Sequence, residues 1–142
     1  MPPCWIHDAA GAELWAVCLV LGLRSCSMPP MVTDCKGILD SMQWAPHTLT
    51  SHDKALARTW GMVRQRLDDD LQQLASRLTW MPSRATYASV GVATDSSGRP
   101  ITATMWRANR LADALAKLAA ERRRLPQWAA QKIGHAKQLA LY

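Results

Sequence analysis

Met31-Val32-Thr33-Asp34-Cys35 decides the fold class: a short β-branched run after Pro29-Pro30, with a carboxylate where the strand ends. The segment before it, Ala12 to Leu23, is apolar nearly all round and reads as a helix buried on more than one side. Gly22 and the Arg24–Pro30 stretch end it, because proline cannot continue a helix. After Asp34, residues Cys35 to about Met42 suit a short helix that Pro46 closes.

The rest of the chain reads as helices with one further strand among them. Ser51-His52-Asp53 offers a cap, and Leu56, Trp60, Val63 and Leu67 recur at helical spacing. Asp68-Asp69-Asp70 is expected to fill the first turn of the next helix, where the dipole favours acids, with Leu71, Leu74 and Leu78 as its apolar face. Leu78-Thr79-Trp80-Met81 reads as a second strand that stops at Pro82. Residues 83–105 read as a long loop with Asp95-Ser96-Ser97-Gly98 as a turn. Arg107 to Arg124 is a helix with Leu111, Leu115 and Leu118 on one face, broken by Pro126, and a weaker basic helix runs from Gln127 to Leu141. Helices mixed with short strands predict an α/β domain. Two strands make no stable sheet alone, so further strands or another chain are expected beside them.

Bulk composition narrows the function only slightly. The net charge of +6 favours polyanionic partners. Seven Trp, two Tyr and no Phe make an aromatic set for which there is no physical account. Cys4, Cys18, Cys26 and Cys35 form no C-x-x-C, and the four His are not at zinc-ligand spacing around them. Reduced thiols in an intracellular compartment, nucleus or cytoplasm, are the expectation. Leu14–Leu23 is too short to span a bilayer, so no membrane association is expected. A signal sequence is the rival reading, with Ser25-Cys26-Ser27 behind the apolar run, but Asp8 and Glu13 stand where a basic flank belongs.

Three acids sit among apolar residues: Glu13, Asp34 and Asp113. Convergent carboxylates repel one another, and a divalent cation with a preference for hard oxygen ligands relieves that repulsion. Each also has a structural reading. Glu13 can charge a first helical turn, Asp34 can cap the helix from Cys35, and Asp113 can pair with Lys117 one turn on.

The order of these acids and their neighbours resembles the ribonuclease H family, particularly the domains of eukaryotic retroelements. The resemblance rests on Ala12-Glu13-Leu14-Trp15-Ala16, Val32-Thr33-Asp34-Cys35, Trp80-Met81-Pro82-Ser83 and, most specifically, Ala108-Asn109-Arg110-Leu111-Ala112-Asp113-Ala114-Leu115-Ala116. It covers roughly residues 10–120. It implies an α/β, RNase H-like mixed sheet with flanking helices, the first three strands largely missing from this sequence. It places the partial domain over 11–125, between residues 1–10, which carry Pro2-Pro3 and little pattern and read as an irregular lead-in, and 126–142, which read as a basic helix or tail.

By the same resemblance, Glu13, Asp34 and Asp113 are the catalytic and metal-ligating residues, with Mg²⁺ (or Mn²⁺) as cofactor and the RNA strand of an RNA–DNA hybrid as substrate. Arg84, Asn109, Arg122, Arg123 and Arg124 are expected to meet nucleic acid. The family's first aspartate lies on an opening strand several dozen residues before the Glu helix. Only twelve residues precede Glu13, and Asp8 is the one acid among them. Arg84 replaces a His usual after the Trp-Met-Pro segment, and Arg110 stands where a Glu commonly follows the Asn. Impaired cleavage is therefore the expectation. A non-catalytic nucleic-acid-binding remnant is the alternative. Association with a missing N-terminal segment or a reverse transcriptase is the implied partnership.

Overall fold

A computed structural model describes Pro3 and residues 5–23, 28–122 and 127–139. Ser25-Cys26-Ser27, Arg123, Arg124, Pro126 and Leu141 therefore lie outside the described residues. The chain divides into two compact units, residues 1–109 and 110–142.

The first unit is mixed α/β. Its elements in chain order are α1 (Ala9–Leu23), β1 (Met31–Thr33), α2 (Lys36–Ser41), α3 (Pro46–Leu49), α4 (Ala57–Arg66), α5 (Leu71–Ala75), β2 (Leu78–Trp80), a 3₁₀ turn over Tyr87–Ser89 and the start of α6 (Ala103–Glu121). The strands are parallel, with Met31 opposite Leu78, Val32 opposite Thr79 and Thr33 opposite Trp80. Parallel strands need a crossover, and α2 to α5 supply it. Met31 N–H donates to Arg77 O at 2.8 Å, and Met81 N–H donates to Thr33 O at 3.0 Å. Because alternate residues face a given neighbour in a parallel ladder, the amide and carbonyl of Val32 point away from β2. The outer side of β2 is already engaged. Trp80 N–H donates to Ser96 Oγ at 3.0 Å, and Ser96 N–H returns a bond to Trp80 O at 2.9 Å.

The core is built on α1 against α4. Leu14, Val17, Cys18 and Leu21 are buried at the i, i+3, i+4, i+7 spacing of one helix face. They join Trp60, Val63 and Leu67, with Ile38, Leu49, Leu74 and Leu78 in the same cluster. Gly22 lies under Arg66: a Cβ there would collide with the guanidinium, so the close approach requires glycine or a moved side chain.

Several boundaries differ from the sequence reading, each for a local reason. α1 begins at Ala9, inside the expected lead-in, because Asp8 Oδ1 accepts from Gly11 N–H at 2.7 Å and caps the helix. Asp8 is thus a capping residue. Pro46 starts α3 instead of only closing the helix before it, its fixed φ being suited to a first helical position. The helix after α4 does not begin at Asp68. Asp68 and Asp69 have φ of 49° and 65°, left-handed backbone that aspartate tolerates better than most residues, and Asp70 caps α5 by accepting from Gln72 N–H at 3.1 Å. α4 itself has no side-chain cap, so Ser51-His52-Asp53 does not serve as one. α6 begins at Ala103 rather than Arg107, with Thr102 Oγ1 accepting from Met105 N–H at 3.1 Å.

Residues 83–102 form a loop closed on itself. Gly91 N–H bonds to Ile101 O at 2.9 Å, Ile101 N–H bonds to Ala93 O at 2.8 Å, and Ile101 is buried. The Asp95 turn is built as expected from Asp-Ser-Ser-Gly. Its buried carboxylate accepts from Ser97 N–H at 2.8 Å and Arg99 N–H at 3.0 Å, with Gly98 at φ 75°. Burial works against its charge, but those donors and the Arg99 guanidinium outweigh it and hold the carboxyl below its ordinary range.

The second unit is helical: the remainder of α6 and then α7 (Gln127–Leu139). Leu111, Leu115 and Leu118 are exposed along α6. No described helix is long and apolar enough to cross a membrane.

Leu14 is fully buried and Leu19, on the same helix, is 41% exposed. Leu14→Ala is expected to cost about 2–5 kcal/mol in urea unfolding, and Leu19→Ala less than about 1 kcal/mol. Equal losses would mean that α1 does not present this face to the core.

Candidate functional site

Two of the three singled-out acids meet at the C-terminal edge of the parallel sheet. The chain leaves β1 at Asp34, and α1 brings Glu13 to the same edge. Glu13 Oε2 accepts a hydrogen bond from Thr33 Oγ1 at 2.9 Å, twenty positions along the chain. Thr33 is buried, and its hydroxyl oxygen also accepts from Cys35 N–H at 3.1 Å. The turn out of β1 therefore fixes both the Glu13 carboxylate and the start of α2. Trp80, at the end of β2, donates its indole N–H to Asp34 O at 3.1 Å and ties the two strand ends together. Open α/β sheets place ligands beyond the carboxyl ends of their strands.

The electrostatics derive from that geometry. Burial pushes the Glu13 carboxyl above its ordinary value; the Thr33 hydrogen bond pulls it down, and the charge of Asp34 pushes it up again. Burial also raises the Cys35 thiol; the N–H groups of Ile38 and Gly37 work against this, and the charges of Glu13 and Asp34 add to it. Cys35 is thus a protonated neighbour and a poor nucleophile at neutral pH.

Asp113 belongs to the second unit, where it pairs with Lys117 Nζ at 2.8 Å on an exposed face of α6. That hydrogen bond first, with the lysine charge, holds Asp113 below the ordinary carboxylate range. The i,i+4 pair was the structural reading open to Asp113 from the sequence. Arg84 is exposed in the turn after Pro82, Asn109 is half-buried at the end of the first unit, and Arg122 is exposed at the end of α6. Asp34 does not cap α2; the residue before that helix is Cys35, with no side-chain cap bond.

Among the described residues, no group of three or more His, Cys, Asp or Glu is gathered as a metal cage would be. The Glu13–Asp34 pair fits a looser mode. Mg²⁺ keeps several waters and needs only one or two carboxylates when phosphates complete its shell. Sequence reading missed the Thr33 hydroxyl between the acids. The only signal for it was a threonine directly before Asp34 on a strand where alternate residues turn inward.

The raised Glu13 carboxyl gives a signed pH dependence. The folded state keeps this proton to higher pH than the unfolded chain does. Stability is therefore fully present below the unfolded value and falls as pH rises through the folded one. Glu13→Gln, which still accepts from Thr33, is expected to raise Tm at pH 7 by on the order of 2 °C and to give no gain at pH 3. Thermal melts at the two pH values read this directly; a loss at pH 7 would reverse the sign.

No protein-family model, curated protein or solved structure matches the chain.

Proposed function

We propose that the protein is a nucleic-acid-directed relative of the ribonuclease H family. In this reading Glu13 and Asp34 hold Mg²⁺ against a phosphodiester at the carboxyl edge of the β1–β2 sheet. The observation that carries the reading is the Glu13–Thr33 hydrogen bond beside Asp34, which brings two carboxylates from distant parts of the chain to one strand end. When bound, the cation would supply charge neutralisation at the phosphate and an activated water. The chain's own contribution is positioning. Thr33 fixes one Glu13 oxygen, and Trp80 fixes the backbone from which Asp34 projects. The charge that Asp34 places near Glu13 is the repulsion a divalent cation would relieve.

The substrate in this reading is an RNA–DNA hybrid. In this reading Asp8, whose side chain caps α1, is not a further ligand.

A second reading, nucleic-acid binding without cleavage, is favoured by the charge distribution. Residues 110–142 hold Arg110, Lys117, Arg122, Arg123, Arg124, Lys132 and Lys137 against Asp113 and Glu121, a net +5 of the chain's +6. Such a segment neutralises phosphates and releases counterions.

Two measurements separate the readings. Incubation of the full chain with a labelled hybrid and Mg²⁺ or Mn²⁺ is expected to give slow cleavage that Asp34→Asn abolishes. No cleavage at high Mn²⁺ rejects the nuclease reading. Hybrid affinity is expected to fall steeply with salt, and replacing Arg122, Arg123 and Arg124 by Ala lowers the slope of log affinity on log salt by about 2–3. An affinity indifferent to salt rejects both readings.

A further inference from the structure

Outside the carboxylate edge, an open cleft of about 860 Å³ lies between α2, α5, β2 and the Asp95 turn. Its size is in the range of small-ligand sites, about 300–1,000 Å³. The walls are chemically mixed. Trp80 supplies an aromatic surface, and Lys36 and Arg99 supply cations. Gln43 and Gln72 supply amides, and Asp40 supplies a carboxylate.

The state of these groups says what they are free to do. The Trp80 indole N–H is already committed to Asp34 O, which fixes the ring and leaves stacking as its remaining capacity. Lys36 Nζ sits 6.0 Å from the Trp80 ring centroid, and none of the ion pairs among the described residues involves it. Arg99 commits Nε and Nη2 to Asp95 and keeps its other donors, its side chain being 69% exposed. The side-chain amides of Gln43 and Gln72 enter no hydrogen bond among the described residues, and the bond at Gln72 uses its backbone N–H. The cleft thus presents a fixed aromatic ring, an ammonium over that ring with no carboxylate partner among the described residues, and amides that both donate and accept.

We propose that this cleft binds a single nucleotide: a base stacked on Trp80, its edge read by Gln43 or Gln72, and its one phosphate held by Lys36. Stacking on an aromatic side chain and a nearby cation are the general means by which unpaired nucleotides are held. The charge balance selects the ligand further. Asp40 on the wall and Asp95 behind Arg99 offset much of the positive charge, so a monophosphate fits and a triphosphate does not. The site shares Trp80 with the Glu13–Asp34 edge through the Asp34 carbonyl, but it needs no metal, so nucleotide binding is read without cleavage.

Titration of the full chain with 5′-AMP, adenosine, inorganic phosphate and ATP, followed by amide and indole NMR shifts, tests this. The expected result is perturbation centred on Trp80, Lys36 and Gln72, with 5′-AMP bound about tenfold more tightly than adenosine or ATP and inorganic phosphate weakest. Lys36→Ala, an exposed change, should bring 5′-AMP down to the adenosine level and leave adenosine unchanged. Replacing Gln43 and Gln72 together by Ala should weaken both. A short oligoadenylate that binds more tightly than 5′-AMP with the same Lys36 dependence identifies the ligand as one unit of a strand; equal affinity identifies the free nucleotide. No shifts at millimolar 5′-AMP, shifts centred elsewhere, or indifference to Lys36→Ala overturn the proposal.

Discussion

Thr33 is a buried residue with one hydroxyl, and that hydroxyl serves two partners. It donates to Glu13 on α1 and accepts from the Cys35 amide at the entrance to α2. A buried hydroxyl without partners is costly, so the strand end is stable in this place only while both bonds are made. Through it the longest apolar helix, the first strand and the next helix share one geometry. The α1–α4 core holds α1 in place, and Thr33 turns that packing into the position of a carboxylate. The indole of Trp80 does the same for the second strand by holding the Asp34 carbonyl.

Much of this was legible in the sequence. Met31–Thr33 and Leu78–Trp80 are strands where β-branched and aromatic residues lie between proline and polar punctuation. α4 follows the Leu56, Trp60, Val63, Leu67 spacing, and the Asp95 turn follows its Asp-Ser-Ser-Gly composition. Three of the misplaced boundaries share a cause. Asp8, Asp70 and Thr102 each cap a helix through one side-chain oxygen, and a single polar residue carries too little signal to fix a start by pattern alone. The inward turn of Thr33 is a tertiary fact: periodicity limits it to one face of the strand without saying which face is covered.

The candidate site was legible in part for a related reason. Glu13 and Asp34 were singled out as acids among apolar neighbours, and the fold brings both to one strand end. Asp113 was singled out by the same local signature, and it pairs with Lys117 one turn on along an exposed face of α6. Alanine-rich flanks look alike whether a helix face is packed or solvated, and alanine contributes little to the contrast. The loop over residues 83–102 was the least legible stretch. Its order comes from a bond across it, between Gly91 and Ile101, and from the Trp106 indole of α6, which donates to Ala85 O at 2.9 Å.

The Ser96 clasp on Trp80 makes the two-stranded ribbon lopsided. Beyond β2, the lateral hydrogen-bonding positions at Trp80 are filled from within the chain. Beyond β1, Val32 directs its peptide groups outward. Sideways growth of the sheet is therefore permitted in one direction only, and any strand that widened it would run alongside Asp34, framing that carboxylate between two backbones.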